Sequence, residues 1–345
     1  MSIRQIAKLS GFSSAAVSLA LRNHPKIPEE TRRKIKTIAQ RCGYETDPRV
    51  TQMMGVVRLG NRAKNRGCFA VISFYDSPRP WENSPHLGRL YEGMSRRAGE
   101  LGYRLEPMWL RAPEMTSRRF RNILDARGIE GLVCFGSPNI DEGFPPEFDH
   151  YAIVTQGVSM RTMCHRVVNN AYNDTRQVLN RVFQLGYRRP GLILSNYEHQ
   201  RGAHANLSAY VGWWQHHLGA RGSIPVLRLD TIDSKQVLKW LKAHDPDVAI
   251  IVHDANAISA FNAILKEHRI RVPTDLGVAA LTQILQGSKL SGIEEDQPLM
   301  GAWAIELLVS RIMNRDLGIP KKPRVEMIEG IWVDGGSLRS QVNSG

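Results

Sequence analysis

The chain has 345 residues, 42% of them hydrophobic, and a formal net charge of +13. It is too long for one small domain and long enough for a small domain followed by a two-lobed one. No run approaches the ~20 apolar residues of a membrane-spanning helix. Four scattered cysteines (Cys42, Cys68, Cys134, Cys164), with no Cys-x-x-Cys pair and no ligand-spaced His cluster, point to idle thiols rather than a disulfide framework or a metal site. No apolar signal region opens the sequence, so a cytoplasmic location and no membrane partner are expected.

In chain order, Ile3, Ile6, Ala7 and Leu9 mark the inner side of a short helix that stops at Gly11. Ser13 is placed to cap a second helix, on which Ala16, Val17, Ala20 and Leu21 recur at helical spacing. A third helix is expected over 28–42, with Pro28 in its first turn, Thr31, Ile35, Ile38 and Ala39 on its apolar face, and Gly43 beyond its end. Two short helices joined by a Gly turn make either an ordinary small bundle or a helix-turn-helix, whose second helix enters the DNA major groove. Charge favours DNA: residues 1–66 hold fourteen Lys/Arg against four acidic residues, a net +10, which leaves +3 for the other 279. Such concentration suits a phosphate-facing surface.

Asp47-Pro48 reads as the start of another short helix running through Met54, and 59–67 as a polar, basic linker. Strands are then expected at 69–75, 103–109 and 131–135, with helices at 87–101 and 117–126 between them. Another strand lies at about 151–155. A second set follows: helix 174–185, strand 191–194, helix 206–218, strand 226–230, helix 234–243, strand 248–252, helix 255–267 and strand 276–281. A helix at 299–313 and one closing strand at 325–332 complete the chain. Alternation of this kind predicts an α/β protein with two Rossmann-like parallel sheets.

Ile3–Gly11, Ser13, Val17-Ser18, Glu29-Glu30-Thr31-Arg32 and Gly43-Tyr44 resemble the headpiece of the lactose-repressor (LacI/GalR) family. The resemblance implies a helix-turn-helix headpiece with hinge helix (1–58), a linker (59–67), and a two-lobed periplasmic-binding-protein-like core (68–340). It implies three crossings between lobes, near 166–169, 288–293 and 323–327. Lobe 1 then comprises about 68–166 and 293–324, and lobe 2 about 167–290 and 325–340. It also implies a homodimer on a near-palindromic double-stranded operator, and a small-molecule effector, carbohydrate in kind, between the lobes. The expected DNA-facing set is Ser13, Ser14, Ala15, Ser18, Leu19, Arg22, Arg49, Met53 and Met54. Met54, beside Met53, takes the position of the hinge-helix wedge in the minor groove. At the reading-helix start, Ala15 and Leu19 offer only apolar contact, chiefly to thymine methyls, so an operator weighted toward A·T at those steps is expected.

Ligands of doubly wound sheets gather at the carboxyl ends of strands. That rule nominates Tyr75, Asp76, Ser137, Gln156, Asn196 with Tyr197, and His253 with Asp254. The 248–260 segment resembles the family's strand-then-Asn-Asp-helix motif, whose Asp binds sugar hydroxyls; here His253 replaces the Asn. Two positions depart from the family: Asn206 stands where Arg is common, and Thr282 where an acid is common. Trp81 is placed to stack on a sugar ring. No Gly-x-Ser-x-Gly, no phosphate-binding Gly-x-x-x-x-Gly-Lys-Ser/Thr and no His-Glu-x-x-His is present, so neither enzymatic activity nor a cofactor is expected. Asp233 and the Glu294-Glu295-Asp296 trio do not establish a facing catalytic pair, and the trio, just after an expected crossing, reads as surface or hinge. The expected function is a sequence-specific DNA-binding regulator, a repressor, under small-molecule control. The alternative is a small-molecule sensor acting through a protein partner, its head binding DNA only non-specifically.

Overall fold

A computed structural model describes residues 3–21, 26–44, 67–219, 223–281 and 288–340. The chain divides into two compact units, Met1–Asn65 and Arg66–Gly345. The first holds three helices, α1 (Ile3–Ser10), α2 (Ser14–Leu21) and α3 (Glu29–Arg41). Ile6 and Ala7 of α1, Val17 and Ala20 of α2, and Ile35 and Ala39 of α3 close a small apolar core. Gly11, at φ +73°, takes the left-handed conformation that turns the chain out of α1. Leu9 departs from expectation. It is 59% exposed, because a 100° turn per residue sets it about 200° from Ala7 on the helix. The Asp47–Met54 helix start and residues 59–66 of the linker lie outside the described residues.

The second unit contains two six-stranded sheets. The first is built from β1 (Cys68–Ser73), β2 (Arg104–Trp109), β3 (Ile129–Cys134), β4 (Ala152–Gln156), β5 (His165–Asn169) and β11 (Val325–Ile328), in the spatial order β11-β5-β4-β3-β1-β2 and parallel throughout. The second contains β6 (Pro190–Leu194), β7 (Leu227–Arg228), β8 (Val248–Val252), β9 (Gly277–Ala280), β10 (Ser291–Glu294) and β12 (Ile331–Val333), in the order β12-β10-β9-β8-β6-β7. Only β12 runs antiparallel to its neighbour, pairing Ile293 with Trp332. Strands buried on both faces read as continuous apolar runs, as in Val248-Ala-Ile-Ile-Val252 and Cys68-Phe-Ala-Val-Ile-Ser73, every residue of which is buried.

The connecting helices are α4 (Pro85–Glu100), α5 (Ser117–Ala126), α6 (Ala171–Gln184), α7 (Asn196–Arg201), α8 (Ala205–His217), α9 (Ser234–His244), α10 (Ala255–Glu267) and α11 (Gln297–Asn314). Around the first sheet Phe120, Leu124, Leu132, Phe148 and Ile153 form a core. Around the second the core is larger and rich in Trp, with Trp213, Trp214 and Trp240 packed on Leu192, Ile193 and Ile250. The long helix α11 returns to the first sheet and lies against α4. Contact is close enough that a Cβ on Gly301 would sit 2.1 Å from the Leu90 carbonyl oxygen, so only glycine fits.

Three expectations about the crossings need correction. The 166–169 and 288–293 segments largely form strands rather than connections: β5 belongs wholly to the first sheet and β10 wholly to the second. The single closing strand expected at 325–332 is two short strands in different sheets, broken at Glu329-Gly330. The chain therefore passes between sheets at about 169–170, 295–296 and 329–330, which moves the expected lobe boundaries by a few residues and places β11 in lobe 1. Short strands with one or two apolar residues carry too little periodicity to separate from loops. The crossings lie side by side: the Asn170 N–H donates to the Ile328 carbonyl at 2.8 Å, and the Asn169 amide donates to the Glu295 carboxyl at 2.6 Å.

Candidate nucleic-acid interface and ligand cleft

The Ser13 hydroxyl accepts from the Ala16 N–H at 3.2 Å, capping α2 as its sequence position suggests. Val17 and Ala20 turn inward, which leaves Ser13, Ser14 and Ala15 exposed at the start of α2 and Ser18 and Leu19 half-buried on its flank. A helix start projecting small side chains is the geometry that admits close approach to base edges. Lys8 and Arg4 are exposed on α1, and Arg33, Lys34 and Arg41 on α3. Arg22, Arg49, Met53 and Met54 lie outside the described residues.

In the second unit both sheets reverse their strand order beside the first strand of each set: between β1 and β3 in one, and between β6 and β8 in the other. Such switch points open a crevice at the strands' carboxyl ends. The crevice here has two connected compartments that share His86, Phe135, Gln156, Glu198 and Arg201. The outer one encloses about 1350 Å³ and the inner one about 820 Å³, open space at the mouths included. Of the residues nominated by sequence, Tyr75, Asp76, Gln156 and Asp254 line the outer compartment, and Gln156 and Asn206 line the inner one. Asp254 caps α10, with Oδ1 accepting from the Ala257 N–H at 2.8 Å, while its side chain remains 55% exposed. Asp76 pairs with Arg111 at 3.2 Å. The Asn206 amide donates to the Thr175 hydroxyl at 3.0 Å.

Three nominees do not line the crevice. Trp81 stacks on Tyr91 with ring centroids 4.3 Å apart and packs behind Phe135. Asn196 turns to Asp230, donating at 3.2 Å, and leaves the wall to Tyr197. The Ser137 side chain is fully buried and accepts from the Asn139 N–H; only its carbonyl meets a group from the crevice wall. Thr282 lies outside the described residues.

Several wall residues were not anticipated. Arg201, at the end of α7, reaches from the second sheet to the first: Nε donates to the Ser137 carbonyl at 3.3 Å and Nη2 to the Tyr75 hydroxyl at 3.4 Å. It also pairs with Glu198 at 3.8 Å and lies over the Tyr197 ring. It is a clasp across the crevice. His86, in the first turn of α4, is held neutral by burial and by the nearby Arg201 and Arg89, its pKa lowered to about 4. Two buried carboxyls, Asp174 on α6 and Glu295 at the second crossing, close the inner compartment. Burial raises Asp174 to about 6, and burial reinforced by Asp174 raises Glu295 to about 8. Part of this was readable: Ser195-x-x-Glu198 is a capping signature, and the Ser195 hydroxyl does accept from the Glu198 N–H. Ser84-Pro85 likewise marks the true start of α4. Asp233 and Asp296 are helix caps, and Glu295, from the trio read as surface or hinge, is buried at the second crossing.

Comparison with known proteins agrees with this architecture. Residues 2–47 match the model described as bacterial regulatory proteins, lacI family, and residues 179–338 match a periplasmic binding protein-like domain. The chain is 22% identical over 294 residues to the probable HTH-type transcriptional repressor ExuR of Bacillus subtilis (strain 168), covering 82% of each protein. Among solved structures it superposes on a transcriptional regulator CelR–cellobiose complex with TM-score 0.62 and 18% identity, over 98% of this chain and 99% of that one. The lac repressor dimer bound to operator and the anti-inducer ONPF matches with TM-score 0.58 and 14% identity, again over 98% and 99%. The chain is a member of the LacI family of DNA-binding transcriptional regulators.

Proposed function

We propose that the protein is a cytoplasmic, homodimeric repressor that binds a near-palindromic operator through α2 and releases it when a carbohydrate occupies the crevice between the two sheets. The observation that carries this reading is the pairing of two parts in one chain: a capped helix exposing Ser13, Ser14 and Ala15, and a crevice at the switch points of two sheets. Two identical reading helices on a two-fold axis match two half-sites. Ser14 bonds base edges, Ala15 and Leu19 meet thymine methyls, and the basic residues of the head meet phosphates. The related repressor of B. subtilis and the cellobiose-bound regulator support the repressor and carbohydrate parts of the reading.

In the crevice Asp254, Tyr75 and Gln156 accept or donate to hydroxyls from both lobes. A carboxylate accepts from two neighbouring hydroxyls, which suits a polyol. A ligand gripped by both lobes favours one lobe angle over the other, and that difference in affinity is what reaches the DNA. The protein acts by binding, without chemical turnover. The test is selection of sites from a random DNA library with the full chain at near-physiological salt. One inverted repeat is expected, A·T-weighted at the steps facing Ala15 and Leu19. Recovery of no motif overturns the specific-regulator reading.

A further inference from the structure

The inner compartment has a charge problem that the protein leaves unsolved. Asp174 is 1% exposed; its Oδ1 accepts from the Gly330 N–H at 2.9 Å, but Oδ2 is buried with no hydrogen-bond partner and the residue faces the cavity. Beside it the Glu295 carboxyl, in a residue 6% exposed, accepts among the described residues from side-chain amides, Asn169 at 2.6 Å and Gln297 at 3.4 Å. Among the described residues neither carboxyl has a Lys or Arg in ion-pair range. Among the described residues the cation in the wall is Arg201, which is engaged by the Ser137 carbonyl, the Tyr75 hydroxyl and Glu198. Leaving a buried carboxylate unpaired is costly, whereas a matched cation with good hydrogen bonds offsets its desolvation.

We propose that the inner compartment takes the ammonium group of an aminated polyol, held by Asp174 Oδ2 and Glu295 and oriented by the Gln156 amide, with the hydroxyl-bearing remainder in the outer compartment against Asp254 and Tyr75. This deepens the carbohydrate reading above and rests on it. An ammonium supplies three donors to a wall rich in acceptors. At pH 7, where the pair holds one proton, a carboxylate-bearing ligand would bring a second negative charge beside it. A metal ion fits less well than an organic ammonium, because no group of three or more His, Cys, Asp or Glu among the described residues is arranged to hold one. The titratable and charged groups facing the position are Asp174 from α6, Glu198 and Arg201 from α7, neutral His86 from α4 and Glu295 itself; Glu329 at the third crossing, exposed, acts on Asp174 through its charge.

The test is isothermal titration of the full chain at pH 7 with matched series of hexoses: the neutral sugar, its amino sugar and its uronic acid, in the gluco, galacto and manno configurations. At least one amino sugar is expected to bind tenfold or more tighter than its neutral parent. Binding should also release the proton that the buried pair holds, so the measured heat changes with the ionisation enthalpy of the buffer. In Glu295→Gln and Asp174→Asn, each checked for intact fold by circular dichroism, the preference should fall below twofold, and in Glu295→Gln, which removes the group that holds the proton, the buffer dependence should fall as well. Equal or tighter binding of a neutral or acidic sugar overturns this inference and keeps the carbohydrate reading. No binding by any member overturns both, and leaves the DNA-site selection to judge the regulator reading separately.

Discussion

Replacing Glu295 by Gln isolates the cost of burying its carboxyl. In the folded chain its pKa rises from the usual 4.5 to about 8, first through burial and then through the charge of Asp174. An acid with a raised folded-state pKa keeps a proton that the unfolded chain has released. Its contribution is therefore harmless below pH 4.5 and erodes stability as pH rises toward 8, by on the order of 3–5 kcal/mol in full. Two neighbours titrate lower. Asp174 erodes stability in the same direction but only up to about pH 6. His86, its pKa lowered from 6.5 to about 4, works oppositely, and its stability is lost as pH falls through that window. Above pH 6.5 the Glu295 contribution stands apart. Integrating one bound proton from pH 6.5 to 8 gives a loss of about 1.5 kcal/mol in wild type and none from this site in Glu295→Gln. Urea unfolding followed by Trp fluorescence, at both pH values for both proteins, measures the difference directly. Equal pH dependence in the two proteins would refute the account of this carboxyl.

Other consequences are quickly checked. Ser13→Ala removes the cap of α2 and should cost the head about 1 kcal/mol, read by its thermal melting; an unchanged melt would deny the cap a role. Gly301→Ala forces a methyl into the Leu90 carbonyl, so α4 and α11 must separate, at a cost of about 1–3 kcal/mol or more in denaturant unfolding. Leu19→Arg adds a side chain able to reach guanine, and site selection should shift from A·T toward G·C at one step in each half-site; an unchanged motif would remove Leu19 from the reading surface.

The parts of the structure legible in the sequence are those with strong local signals. Glycines marked helix ends at Gly11 and Gly43, and apolar runs such as 248–252 pointed to buried strands. The strand-end rule found Tyr75, Asp76, Gln156 and Asp254 because it uses position along the chain alone. It erred at Asn196 and Ser137, where local hydrogen bonds capture the side chain, and a lone loop Trp81 was drawn into aromatic packing. Arg201, Asp174 and Glu295 were invisible for another reason: each becomes a wall residue only through contacts made across the crossings, such as Asn169 with Glu295, 126 positions apart. Nor did local pattern separate β5 and β10 from linking loops, since pairing with a neighbouring strand, rather than their own composition, makes them strands.

The central claim is that α2 reads a defined sequence. It is tested most directly by titrating the full chain, at near-physiological salt, against the inverted repeat recovered by selection and against a scrambled duplex of the same length and composition. The repeat should bind at least about 10³-fold tighter, the margin of a specific regulator over its own non-specific binding. Equal affinity for the two duplexes, set by salt alone, would contradict it and leave a basic head that recognises only phosphate.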